Sequence, residues 1–211
     1  MLVSELAKMV HENAVAHGWW DEEREVPEIL ALIHSEWSEA LEEARAGRPL
    51  VWYSCGESLG HRLTCDPKDR TECRMYGIEE ECEYRGHKPE GVAVELIDGC
   101  IRILDYMGRN QGDMSDSDGK PSKIEDFYHG GNIAKVPDKL PELIAYLHLY
   151  TSASMNSRAF HDLMIPDMFA LCGAMAAALS WVKKQGLDPL AVLLEKHEYN
   201  KTRPYKHGKK F

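Results

Sequence analysis

The chain has no apolar run that approaches a membrane span, which takes about 20 residues. It also lacks the basic start and apolar core of a secretory leader, opening instead Met1-Leu-Val-Ser-Glu-Leu-Ala-Lys. Both absences point to a cytoplasmic protein with no membrane partner. Positive charge is in deficit: 25 Lys and Arg stand against 35 Asp and Glu, a formal net charge of −10. That balance argues against non-specific binding to nucleic acid. The six cysteines contain no C-x-x-C pair, so the most recognisable start of a zinc or redox motif is missing. What remains is an ordinary globular composition, 44% hydrophobic and 28% charged over 211 residues, enough for one sizeable domain.

Apolar spacing then predicts helices. Leu2, Leu6, Met9, Val10 and Ala14 follow the helical period over residues 2 to 17, and Gly18 supplies a stop. Pro27 suits the first turn of a second helix that runs to about Ala46 and ends at Gly47-Arg48-Pro49. Residues 90 to 108 carry too many apolar positions for one narrow stripe, which predicts a helix buried on most sides. A helix over 166 to 185 ends at Gly186, and Asp188-Pro189 caps and opens the last one. The expected fold class is all-α: an antiparallel helical bundle forming a single domain over residues 1 to 211.

Two stretches break the periodicity. Residues 50 to 90 hold Cys55, Cys65, Cys73 and Cys82 with His61 and His87, and read as an insert between two helices. Four thiolates could close around Zn²⁺, but their separations are long; free thiols are the plain alternative. Residues 109 to 135 read as a loop. Its acidic string, Gly112-Asp-Met-Ser-Asp-Ser-Asp-Gly119, lacks the full ligand pattern and the closing Glu of a calcium loop.

The chemistry concentrates in acids. Glu36, Glu39 and Glu43 recur at i, i+3 and i+7, and Glu95 and Asp98 at i, i+3, so each set shares one helix face. Stacked like charges repel unless a cation compensates. A solvated acidic face is the plain alternative for one such pair. Glu95 and Asp98, however, sit in Gly91-Val-Ala-Val-Glu-Leu-Ile-Asp-Gly-Cys-Ile-Arg-Ile-Leu104, where an unpaired carboxylate is costly. A few carboxylates from two facing helices suit Mg²⁺, which wants oxygen ligands in an octahedron. Arg102, one turn past Asp98, reads as a structural partner for one of these acids.

Other candidates surround the acids. Trp19 and Trp20 either pack in the core or offer a flat face for a nucleobase, with Asn13 and His17 near the same helix end. The C-terminal segment is basic, with Lys196, Lys201, Arg203, Lys206, Lys209 and Lys210. There is also an internal echo. Val26-Pro-Glu-Ile-Leu-Ala-Leu-Ile-His34 is matched at constant offset by Leu140-Pro-Glu-Leu-Ile-Ala-Tyr-Leu-His148. Continued in register, Glu36 meets Tyr150 and Glu39 meets Ala153. More weakly, the segment from Glu95 lies against that from Ala170, and there too the acids are gone. The echo predicts two packed helical hairpins, one keeping its carboxylates and one purely structural.

Taken in order, Glu36-x-x-Glu39, Glu95-x-x-Asp98 and Lys196-x-x-x-Asn200-x-x-Arg203 resemble the MazG-like all-α nucleoside triphosphate pyrophosphohydrolases. The resemblance covers about half of the chain. The degenerate second hairpin is similar to that of the dimeric dUTPases. The resemblance implies hydrolysis of a nucleoside triphosphate, most naturally a deoxynucleoside one, to the monophosphate and pyrophosphate by a homodimer. Glu36, Glu39, Glu95 and Asp98 would hold Mg²⁺, with Mn²⁺ as a substitute; Glu39, with Glu36, would be catalytic, Glu39 orienting the water. Lys196, Asn200, Arg203 and Lys209 would bind phosphates or sugar, and Trp20 with Asn13 the base. Two departures stand out: the long gap between the acidic motifs, and the second hairpin placed between Asp98 and the basic motif. A different class of function also fits, a non-catalytic helical module whose insert binds zinc and a protein partner.

Overall fold

The computed structural model describes residues 1–58, 61–65, 88–110, 120–129, 136–155 and 168–208. Among these the chain is mostly helical. The helices are α1 (Val3–Ala16), α2 (Val26–Arg45), α3 (Val92–Asn110), the single turn α4 (Asp126–His129), α5 (Leu140–Ala153), α6 (Met168–Lys184) and α7 (Pro189–Lys201); a 3-10 turn, Tyr205–Gly208, follows. Their ends obey the expected local rules. Proline occupies the first turn of α2, α5 and α7, where its missing N–H costs nothing, and the Asp188 side chain accepts from the Leu190 N–H at 3.2 Å.

Gly18 stops α1 with φ +76°. The Tyr205 ring closes over this glycine, where a Cβ would lie 2.1 Å from it. The Lys206 N–H donates to the His17 carbonyl at 2.9 Å and fixes that return.

The insert departs from a purely helical chain. β1 (Trp52–Ser58), β2 (His61–Cys65) and β3 (Lys88–Glu90) form an antiparallel sheet in the order β2-β1-β3. These strands are short, and a bulge between Ser54 and Glu57 breaks the alternation that would have announced one. Cys55 and Cys65 lie on β1 and β2; Cys73, Cys82, the Gly112–Gly119 string and Lys209 lie outside the described residues.

The sheet closes the excursion at its base. Trp52 pairs with Glu90, and the Ala93 N–H donates to the Leu50 carbonyl at 2.9 Å. Gly91, at φ +109°, passes so close that a Cβ would lie 2.7 Å from the Leu50 oxygen. Chain therefore leaves and re-enters the helical body at adjacent points. The long gap between the two acidic motifs does not separate them in space, and α2 packs directly on α3.

One core runs through α1, α2, α3, α5, α6 and α7, including Leu6, Ile33, Trp37, Leu96, Leu147 and Leu179. α3 is its centre: 12 of its 19 residues are buried and it touches α1, α2, α6 and α7. This matches the expectation of burial on most sides.

Matched positions of the internal echo meet. His34 and His148 stack with ring centroids 5.0 Å apart, and Trp37 Nε1 donates to Thr151 Oγ1 at 3.0 Å; both pairs are 114 residues apart, the offset of the echo. The weaker echo has an offset of 75, and there Cys100 Sγ lies 4.0 Å from the Met175 carbonyl oxygen. Contacts between equivalent positions are what an approximate two-fold relation between hairpins produces.

Candidate metal and substrate site

The acids converge where α2 crosses α3. One carboxylate oxygen each from Glu36, Glu39 and Glu95 lies within 4.8 Å of the others. Glu36 and Glu95 are buried, at 6% and 4% exposure, whereas Glu39 is exposed. Local packing explains why the helices come so close. Gly99, the residue after Asp98, faces Trp37, the residue after Glu36; a Cβ at Gly99 would lie 2.2 Å from the indole ring. Trp37 is fully buried against this bare patch of α3, and the two acid faces are held together beside it.

The electrostatics show carboxylates that burial makes hard to ionise. Burial pushes the Glu95 carboxyl up to about 8, helped by Asp98 and opposed by Lys196. Burial also holds Glu36 above the ordinary carboxylate range, although Arg102 Nε donates to its Oε1 at 2.5 Å. Arg102 stays charged, and its pairing with Glu36 is the structural role read from the sequence. Carboxylates that are buried, adjacent and hard to ionise could hold a divalent cation.

Asp98 sits differently from the other three. Its Oδ2 lies 2.8 Å from Lys196 Nζ, and the same ammonium donates to the Pro89 carbonyl at 3.2 Å. Lys196 is 1% exposed, so the residue expected to reach for a phosphate is instead the buried counter-ion of a predicted metal ligand.

A cavity opens onto these acids. α1 contributes Asn13 to it, α7 contributes Lys196, Asn200 and Arg203, and β3 contributes Lys88. The structure thus places Asn13, Asn200 and Arg203 in the lining of one cavity with Glu36, Glu39, Glu95 and Asp98. It does not bring Trp20 there. Trp20 Nε1 donates to Asp105 Oδ1 at 2.9 Å, and Arg109 covers its ring at 4.8 Å. The indole that lines the cavity is Trp19, with Arg24 5.1 Å from its ring centroid. A chain leaving a helix at Gly18 turns through an angle set by tertiary contacts, so spacing alone could not choose between the two tryptophans.

No family model, curated protein or solved structure matches this chain. What the site can do follows from its own residues.

Three of those residues were not among the site candidates of the sequence reading. Lys88 comes from the insert and pairs with Glu90 at 2.8 Å. Asp105, two turns beyond Asp98, lines the cavity and binds His11 Nδ1 at 2.8 Å; burial raises its carboxyl above the ordinary range. His197 lies next to Lys196 and three residues before Asn200. Its spacing to Asn200 on a helix was the signal available.

Proposed function

We propose that the chain is a metal-dependent nucleoside triphosphate pyrophosphohydrolase of the all-α, MazG-like kind. The observation that carries this reading is the convergence of Glu36, Glu39 and Glu95 within 4.8 Å at a cavity that also holds Asn13, Asn200 and Arg203. Carboxylates alone would suit many cations. Carboxylates facing Arg203 and the carboxamides of Asn13 and Asn200 suit a ligand that is anionic at one end and polar but uncharged at the other.

Glu36, Glu39, Glu95 and Asp98 would hold Mg²⁺, or Mn²⁺ in its place. Bound there, the ion offsets triphosphate charge and acidifies a coordinated water. Glu39 is the exposed carboxylate of the cluster, so it is the one free to orient a water and accept its proton. The water oxygen bonds to the α-phosphorus, the bond from that phosphorus to the bridging oxygen breaks, and pyrophosphate leaves. Arg203 binds outer phosphate oxygens through its forked donors. Asn13 and Trp19 take the base, one by hydrogen bonds and the other by stacking.

The second hairpin supports the same picture. We read α5 and α6 as a copy of α2 and α3 that has lost its site. Tyr150, Ala153, Ala170 and Gly173 occupy the positions of Glu36, Glu39, Glu95 and Asp98. The Tyr150 ring lies over Gly173, where a Cβ would meet it at 2.6 Å. An aromatic ring there fills space that carboxylates line in the first hairpin.

Pyrophosphate release from a panel of ribo- and deoxyribonucleoside triphosphates, with Mg²⁺ and with a chelator, tests the reading. Metal-dependent release is expected. A folded protein that releases no pyrophosphate from any nucleotide would overturn it.

A further inference from the structure

Two buried side-chain atoms have no hydrogen-bond partner among the described residues: His197 Nε2 and Asn200 Oδ1. Orphaned polar atoms of this kind are uncommon in folded proteins and call for an explanation. Both belong to α7, three residues apart on one face, and both residues line the cavity. His197 is 1% exposed, so bulk water does not answer its ring nitrogen. We propose that His197 is a specificity-determining residue that, together with Asn200, binds one hydroxyl of the substrate's sugar. The proposal rests on the nucleotide reading above and adds to it which part of the nucleotide α7 recognises.

The chemistry of the two atoms selects the ligand. Burial and the nearby Lys201 charge hold the His197 imidazole below its ordinary pKa, so it is neutral at pH 7. A neutral imidazole beside a neutral carboxamide has little to offer a phosphate. Phosphates are better served by Arg203 and by a cation held among the acids. A hydroxyl both donates and accepts. It can donate its one proton to the Asn200 carboxamide oxygen and accept from His197 Nε2 in the tautomer that carries the hydrogen there.

Position agrees with chemistry. Lys196 reaches Asp98 at the acid cluster, and His197 is its immediate neighbour. Asn200 lies one turn further on, about 6 Å of helical rise from Lys196. A nucleotide's sugar is joined to its α-phosphate through a single ester oxygen. With the α-phosphate at the acids, the sugar is therefore the part that comes level with this turn of α7.

The test uses binding rather than turnover. The α,β-imido triphosphates of one base are titrated calorimetrically with Mg²⁺ in four forms: ribo, 2′-deoxy, 3′-deoxy and 2′,3′-dideoxy. Wild type, His197→Phe (ring volume kept, nitrogen removed) and His197→Gln (a polar group restored) are compared, each checked by circular dichroism. In wild type, loss of one particular hydroxyl should weaken binding at least tenfold. His197→Phe should bind the four analogues within about threefold of one another, and His197→Gln should recover part of the discrimination.

Equal binding of all four by wild type would overturn the proposal, as would discrimination that survives His197→Phe. Pyrophosphate release from the parent nucleotides, measured on the same wild-type protein, separates the two readings. Release without His197-dependent discrimination sinks the sugar site alone. Hydroxyl-dependent binding without release sinks hydrolysis and leaves the sugar site standing. No binding of any analogue sinks both.

Discussion

Glu39 differs from the acids around it in being exposed, so its substitution separates chemistry from folding. Glu39→Gln keeps shape and removes the base. Pyrophosphate release should fall at least about 100-fold, the scale on which positioned general bases act. Stability should move by no more than about 0.5 kcal/mol, as for other surface changes. Parallel loss of activity and melting temperature would instead mark Glu39 as structural. Glu95 makes the opposite kind of prediction. Its folded-state pKa of about 8 lies far above the ordinary 4.5. Between those values the metal-free folded state keeps a proton that the unfolded state has released. This group's contribution to stability is therefore fully present below about pH 4.5 and is lost as pH rises through 8. The metal-free protein should lose melting temperature from pH 6 to pH 8.5, and Glu95→Gln, which has no proton to lose, should flatten part of that slope. Scanning fluorimetry of the two proteins across the range checks this. A wild-type-minus-variant difference that stays constant with pH would count against a perturbed Glu95.

Among the elements, the pair α2–α3 depends on Gly99 and the pair α5–α6 on Gly173, but not equally. Gly99 faces the fully buried Trp37 ring; Gly173 faces Tyr150, which is half-exposed and able to yield. Gly99→Ala should cost about 1–3 kcal/mol as an overpacked contact. Gly173→Ala should cost clearly less, and thermal unfolding of the two variants gives the comparison. A larger loss for Gly173→Ala would mean that α5–α6 is the tighter interface. The long helices were legible from helical apolar spacing and from local stop signals such as Gly18 and Gly186, whereas the single turn α4 lies in a stretch read as a loop because four residues are too few to show a period. The strands were not. β1 and β3 pair through residues as distant as Trp52 and Glu90, and no local pattern marks such a pairing. The acid cluster was legible from spacing within α2 and within α3. The commitment of Lys196 to Asp98 was not, because it joins α7 to α3 across nearly half the chain. His197 was overlooked because the Lys-Asn-Arg pattern passes over it; its helical spacing to Asn200 was the sequence signal, and an unpaired atom in three dimensions singles it out.

At the scale of the whole molecule, the proposed function requires a chain of net charge −10 to admit a polyanion. The cavity resolves this locally. Its lining has five acids, Glu36, Glu39, Glu95, Asp98 and Asp105, and five bases, Arg24, Lys88, Arg102, Lys196 and Arg203. Four of the bases already pair with acids: Arg102 with Glu36 and Lys196 with Asp98 within the lining, and Lys88 with Glu90 and Arg24 with Glu28 beyond it. The metal-free cavity is thus close to neutral by itself. A divalent cation arriving alone must compete with the two ion pairs within the lining and with the proton on Glu95, and it leaves the cavity with excess positive charge. A triphosphate arriving alone meets the opposite imbalance against the acids. Metal and triphosphate together bring charges that nearly cancel, and the phosphates give the displaced Arg102 and Lys196 somewhere to go. The two ligands should therefore bind cooperatively. With a non-hydrolysable triphosphate, the rise in melting temperature produced by Mg²⁺ and nucleotide together should exceed the sum of their separate effects, and by reciprocity each should tighten the other by the same factor. Lys196→Met should lessen this excess, since Asp98 then no longer has an internal cation for the metal to displace. Purely additive shifts in the wild-type protein would show that the ion pairs Arg102–Glu36 and Lys196–Asp98 stay closed when ligands bind.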